Sequence, residues 1–121
     1  ILTLNRRGKG EEGEARAEQY LNALGYRTVA RNFRTRRGEI DLVVEGGGRL
    51  AFVEVKCWDS LGAEDLQYAV GPQKQRRIRE ASRQFLWRNP QYGDRAVRYD
   101  VVLISGGRRQ IRHYESAFDG V

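Results

Sequence analysis

Residues 39–56, EIDLVVEGGGRLAFVEVK, decide the architecture. Two β-branched, apolar runs, Glu39 to Glu45 and Arg49 to Lys56, flank Gly46-Gly47-Gly48, and that combination predicts a β-hairpin. A two-residue turn at Gly47-Gly48 suits the twist of the strands, because its central positions need positive φ and glycine takes it at no steric cost. Glu45 then faces Leu50, Val43 faces Phe52, Asp41 faces Glu54 and Glu39 faces Lys56, all on one side of the sheet. Ile40, Leu42 and Val44, with Ala51, Val53 and Val55, cover the other side and face the core. A three-residue turn would shift the register by one and send Asp41 and Glu54 to opposite sides.

Two carboxylates opposed at roughly 5 Å between Cβ atoms repel unless one is protonated, a lysine neutralises them, or a cation bridges them. A hard divalent ion suits the position. Magnesium takes oxygen ligands, keeps several waters and commonly binds one or two carboxylates together with substrate phosphate oxygens, and manganese substitutes for it. Such an ion would polarise a scissile phosphate and acidify a bound water, while Lys56 would orient that nucleophile or stabilise charge on phosphorus. The residues therefore point to phosphodiester hydrolysis, with Asp41, Glu54 and Lys56 as the catalytic set. The plainer alternative is a solvated face of alternating charge, which the strongly apolar strands carrying these charges argue against.

Upstream of the hairpin, residues 1–13 are glycine-rich and charged, lack an apolar period, and read as a mobile basic arm. Residues 14–121 then form a single nuclease-like domain. From Glu14 the pattern turns helical: Ala17, Tyr20, Leu21 and Leu24 share a face, and Gly25 supplies the stop. Tyr26 to Phe33 reads as a strand. Downstream, a loop through Trp58 to Tyr68 leads to Gly71-Pro72, which opens a second helix with Ile78, Ala81 and Phe85 on one stripe and an end near Asn89-Pro90. Two more strands follow, Val97 to Ile104 and Gln110 to Tyr114, joined by a turn at Gly106-Gly107. The order is α-β-β-β-α-β-β, an α/β arrangement.

Composition agrees with one soluble domain: 121 residues, 40% apolar and 31% charged, long enough for one core and too short for two. A formal charge of +6 calls for an anionic partner, nucleic acid foremost. No apolar run approaches the roughly 18 residues that span a bilayer, and Ile1-Leu2-Thr3-Leu4 is too short for a signal-peptide core, so the expected location is the cytoplasm, away from the membrane. Cys57 and His113 each stand alone, which excludes an internal disulfide and thiolate or imidazole clusters for zinc or haem. Any metal would be held by oxygen.

Further residues support the hairpin. Glu14 lies at the edge of the first helix's buried stripe, where a carboxylate can reach a metal site or simply complement the helix dipole. Lys74 falls at the centre of the second helix's stripe, one turn before Ile78, whereas Arg76, Arg79 and Arg83 fall on the opposite face. Lys74, with Gln73 beside it, is thus a candidate phosphate contact. Arg34, Arg36, Arg37 and the outward Arg76 could bind phosphates, and Trp58 and Tyr68 could stack on bases. Asp100 interrupts an apolar strand and is expected to pair internally with an arginine.

At these residues the chain resembles the YraN family of small bacterial proteins, placed in the PD-(D/E)XK, restriction-endonuclease-like nuclease superfamily. The resemblance runs over nearly the whole chain: Gly13-Glu14 followed by Ala17, Tyr20-Leu21 and Gly25-Tyr26; Arg31-Asn32; Gly38-Glu39-Ile40-Asp41-Leu42; Phe52-Val53-Glu54-Val55-Lys56; Lys74; and Arg98-Tyr99-Asp100-Val101-Val102. It implies a central mixed sheet flanked by helices, with Asp41 and Glu54 as ligands of Mg2+ or Mn2+, the Val55 carbonyl as a third, and Lys56 as the catalytic lysine. Glu14 matches the first-helix acid of many superfamily members. The chain departs from the superfamily in placing Ile40 where a proline usually precedes the aspartate, and Cys57-Trp58 where a polar or basic pair would follow the lysine.

The expected activity is Mg2+-dependent cleavage of nucleic acid, DNA foremost, including branched or damaged structures. Two other readings stand beside it: a nucleic-acid-binding module that keeps the fold without turnover, and an adaptor for a protein partner. Cleavage of four-way junctions would require two sites and hence a homodimer.

Overall fold

The computed structural model describes residues 2–58, 70–105 and 110–120. Its elements are α1 (Leu2–Ala23), β1 (Arg27–Arg34), β2 (Glu39–Gly46), β3 (Arg49–Trp58), α2 (Pro72–Arg88), a short 3-10 turn (Pro90–Tyr92), β4 (Ala96–Ser105) and β5 (Ile111–Phe118). The order α-β-β-β-α-β-β is the expected one, and the mixed α/β architecture is consistent with a restriction-endonuclease-like fold.

The five strands form one sheet in the order β1-β2-β3-β4-β5. All neighbours are antiparallel except β3 and β4, which run parallel. A parallel pair needs a long crossover, and α2 lies within it. The hairpin closes as its glycines require: Gly47 and Gly48 have φ of 59° and 77°, and the ladder pairs Gly46 with Arg49, Val44 with Ala51 and Leu42 with Val53. The two-residue turn, and with it the register, is as expected.

Helices cover both faces. Ala17 and Leu21 of α1 pack on Leu42, Val44, Ala51 and Val53; Ile78, Ala81 and Phe85 of α2 pack on Val43, Leu50, Phe52 and Tyr99. On the α2 side Phe52 stacks on Tyr99 with centroids 5.7 Å apart and takes the edge of Phe85, also at 5.7 Å. The side that carries the acids together with Val43, Leu50 and Phe52 is therefore a second core face, with the site confined to its end. Among the described residues, no helix is long and apolar enough to cross a membrane.

Three expectations need correction. Helical backbone begins at Leu2 rather than Glu14; the segment before Glu14 has no apolar stripe, so periodicity could not mark it. Ile40 joins the α2-side cluster with Val43 instead of the side of Leu42. Strict alternation breaks there because the neighbouring strand is irregular: Asn32, in β1 between the partners of Ile40 and Leu42, has a φ of 52°. The ladder also stops at Leu42 and Val53, so Glu39 and Lys56 are not a cross-strand pair. The turn expected at Gly106-Gly107 lies outside the described residues.

Beneath α1, Asp100 is fully buried and held from every side. Arg98 Nε and Nη2 donate to its two oxygens at 2.8 Å each, and the Ser116 N–H donates at 3.1 Å. His113 Nε2 is 2.7 Å away and must carry the proton, since an ionised carboxylate only accepts. Burial opposes the charge, but the bonds from His113, Arg98 and Ser116 outweigh it and hold Asp100 below its ordinary pKa. Asp100 is a packing group, paired with an arginine as expected.

Candidate active site

The site lies where β2 and β3 part company. Past Leu42 and Val53 the strands no longer exchange main-chain bonds, and the Asp41 side chain reaches across instead, accepting the Val55 N–H at 2.8 Å. Val55 thereby contributes its amide to the site's framework, while its side chain packs against the α1-side core. One residue back along β3, Glu54 points toward the α2 side, as the placement of its neighbour Val101 in that cluster requires.

Glu54 is 4% exposed and its carboxyl is hydrogen-bonded to that of Asp41. Two acids share such a bond only if one keeps a proton. Burial first, and then the charge and hydrogen bond of Asp41, push the Glu54 pKa up to about 8, against the opposing pull of Lys74. Lys74, at the start of α2, forms an ion pair with Glu54. Burial disfavours its charge, yet Glu54, Asp41 and Glu39 raise its pKa overall. The lysine on the inner face of α2 is therefore drawn to the acids, as its position on the stripe suggested.

Glu14 approaches from α1. Gly13 allows this: a Cβ there would overlap the Cys57 sulfur, so the missing side chain lets α1 lie against the end of β3. Glu14 is hydrogen-bonded to Asn32, and burial and the Asp41 charge raise its pKa. It thus senses the acid pair from the opposite flank. The sequence marks Asn32 by nothing beyond its place in the Arg31-Asn32 match; its positive φ, which asparagine tolerates better than most residues, turns β1 beside the site. Among the described residues, no three of the His, Cys, Asp and Glu side chains stand in a metal-holding group, so the acidic centre is the Asp41–Glu54 pair.

Lys56 lies on the same face of β3 as Glu54, one pleat further along, opposite Leu103 of β4. It is partly buried, and among the described residues it makes no ion pair. Glu39 is exposed and pairs with Arg34 at 3.2 Å, outside the contact between Asp41 and Glu54. Arg36 and Arg37 line a groove beside Lys74, whereas Gln73 and Arg76 are exposed on α2 and do not line it. The arginines expected to face outward do not all do so: Arg79 donates to the Asp119 carbonyl at 3.1 Å and lies over Phe118. Tyr68 and the Trp58 side chain lie outside the described residues.

Residues 13–104 match the model of the family described as "Uncharacterised protein family UPF0102". The chain belongs to that family. Among UPF0102 relatives, a protein of Rhodopseudomonas palustris strain BisB18 is 48% identical over 110 residues, covering 91% of this chain and 79% of the relative. A UPF0102 protein of Nitrobacter winogradskyi is 46% identical, with 91% of each chain covered. One of Bradyrhizobium sp. strain ORS 278 is 44% identical over 91% of this chain and 76% of its own length. The UPF0102 match begins at Gly13, beside Glu14, and takes in Asp41, Glu54, Lys56 and Lys74, so every group of the acidic centre falls within it.

Proposed function

We propose that this UPF0102 protein is a metal-dependent nuclease of the PD-(D/E)XK, restriction-endonuclease-like superfamily, hydrolysing phosphodiester bonds in nucleic acid, DNA foremost. The observation that carries the proposal is the direct contact of the Asp41 and Glu54 carboxylates at the point where β2 and β3 separate. A protein evolved only for stability would gain by replacing such a pair with apolar groups, so its placement on central strands asks for a ligand.

The donor chemistry fits Mg2+ or Mn2+. The carboxylates of Asp41 and Glu54 would hold the ion, with the Val55 carbonyl completing the protein's share and water and phosphate oxygens the remainder. When bound, the ion supplies Lewis acidity toward the scissile phosphate and a water of lowered pKa. Asp41 keeps its geometry through the Val55 amide, which fixes one carboxylate oxygen. Glu54 would hold the ion in its ionised form, with Lys74, its ion-pair partner in the fold, placed to meet a phosphate oxygen beside it. Lys56, without an ion-pair partner among the described residues, would orient the attacking water or stabilise charge on phosphorus.

The test is cleavage of labelled single strands, duplexes, flaps, four-way junctions and RNA with Mg2+ or Mn2+, comparing the native protein with Asp41→Ala, Glu54→Gln and Lys56→Ala. We expect cleavage of at least one substrate class by the native protein and its loss, by about two orders of magnitude or more as for a lost electrostatic contact, in each variant. Salt-dependent binding with no cleavage would instead support the binding module, for which the existing Glu54–Lys74 pair already supplies a self-compensated site.

A further inference from the structure

Beside the acid pair, the turn between β1 and β2 and the first turns of α2 enclose an open groove of about 500 Å³. Its walls are fixed. Thr35 and Gly38 close the turn through the Thr35 N–H to the Gly38 carbonyl at 2.8 Å and the Gly38 N–H to Thr35 Oγ1 at 3.2 Å. Gly38 presses on the main chain of α2, where a Cβ would overlap the Arg77 carbonyl. The turn and the helix are thus held against each other before any ligand arrives.

Arg27, Arg31, Arg83, Arg95 and Arg98 all meet carboxylates within the fold. On the groove, Arg34 is matched by the one acid of the lining, Glu39. Among the described residues, Arg36, Arg37 and Arg77 have no carboxylate partner, and all three are exposed. Exposed arginines without a carboxylate partner stand elsewhere too, Arg49 and Arg112 among them, but the groove gathers three beside a lysine. Lys74 belongs to both places, lining the groove while pairing with Glu54. Ile78 supplies an apolar floor.

We infer that this groove is the track of a single nucleic-acid strand, with Arg36, Arg37 and Arg77 holding its phosphates and Lys74 marking where the strand meets the acid pair. Unpaired guanidiniums suit phosphate oxygens geometrically and electrostatically. The volume is that of a pocket for a drug-sized molecule, the scale of a nucleotide, which favours one strand over a duplex as the occupant. The inference rests on the nuclease reading and narrows it to substrates with an unpaired segment. It also moves the phosphate-binding role on α2 from Arg76, which lies off the groove, to Arg77.

The experiment measures binding of fluorescent single-stranded DNA, single-stranded RNA and matched duplex by anisotropy, without divalent ions, over a salt series. Native protein is compared with Arg36→Gln/Arg37→Gln/Arg77→Gln and with Arg49→Gln/Arg112→Gln, which alters exposed arginines away from the groove. These changes leave the Arg77 main-chain contact in place, and circular dichroism checks the fold. We expect tighter binding to a single strand than to duplex, and a salt dependence of single-strand binding reduced by about two in the log-log slope in the groove variant, from about 0.7 per phosphate contact, with the control near native. Preference for DNA or for RNA identifies the source of the strand. An unchanged slope in the groove variant, or equal affinity for duplex, overturns the inference, and if the native protein still cleaves, the nuclease reading survives it. Absence of both binding and cleavage by the native protein overturns the two together.

Discussion

Glu54 carries the clearest consequences of the site's chemistry. Its pKa in the folded protein, pushed up to about 8 by burial and Asp41, lies above that of an unfolded glutamate. Between those values the folded state holds a proton that the unfolded state has lost, so this group's contribution to stability is full below the glutamate range and is lost as pH rises toward about 8. We expect the metal-free protein to lose thermal stability across that interval, and Glu54→Gln to be more stable at its upper end with a flatter pH profile. A native profile no steeper than the variant's would contradict the assignment. The same proton competes with a cation, so Mg2+ affinity should rise up to tenfold per pH unit below about 8 and level off above it; isothermal titration at several pH values reads this directly. At Asp100 the expectation differs, because the group is fully paired. Asp100→Ala would strand the buried Arg98 charge and cost about 3–5 kcal/mol in chemical denaturation, whereas a loss under 1 kcal/mol would mean that Arg98 finds water. Asp41 and Glu54 were legible in the sequence because one turn, Gly47-Gly48, sets their register. The bond between His113 and Asp100 was not: they come from different strands, and nothing local to either residue announces the other.

At the scale of elements, the site depends on places where regular pairing ends. The β2–β3 ladder stops one residue short of Asp41, and the released Val55 amide becomes a ligand of its carboxylate. Alternation alone places the acids on one face but cannot show where the ladder ends, because side chains alternate with the same period whether or not the strands exchange main-chain bonds. Ile40 was misassigned because the positive φ of Asn32 lies on the neighbouring strand. The inward face of α2 was legible, because Lys74, Ile78, Ala81 and Phe85 repeat at helical spacing. Gly38 is where the turn meets α2, and Gly38→Ala would force a methyl into the Arg77 carbonyl. We expect a loss of about 1–3 kcal/mol from overpacking, seen as a lower denaturation midpoint, with phosphate binding weakened as the groove opens. A neutral effect on both would show that the turn moves freely relative to the helix.

For the whole molecule, the sheet is sandwiched between α1 and α2, and the groups of the site converge from both layers. Glu14 arrives from α1, Asp41 and Glu54 from the central strands, and Lys74 from α2. The net charge of +6 predicts an anionic partner but not where it would bind; Arg27, Arg31, Arg34, Arg83, Arg95 and Arg98 meet acids, and among the described arginines that do not, Arg36, Arg37 and Arg77 stand together beside Lys74, a grouping that only the folded chain reveals. The central claim is that Asp41 and Glu54 together hold one divalent ion. Titration with Mn2+ followed by electron paramagnetic resonance, on native protein and on Asp41→Asn and Glu54→Gln with matched circular dichroism, tests it most directly. One ion bound by the native protein and at least tenfold weaker binding in each variant is the expected result; equal binding by all three would place the metal elsewhere and leave the carboxylate pair without the role assigned to it.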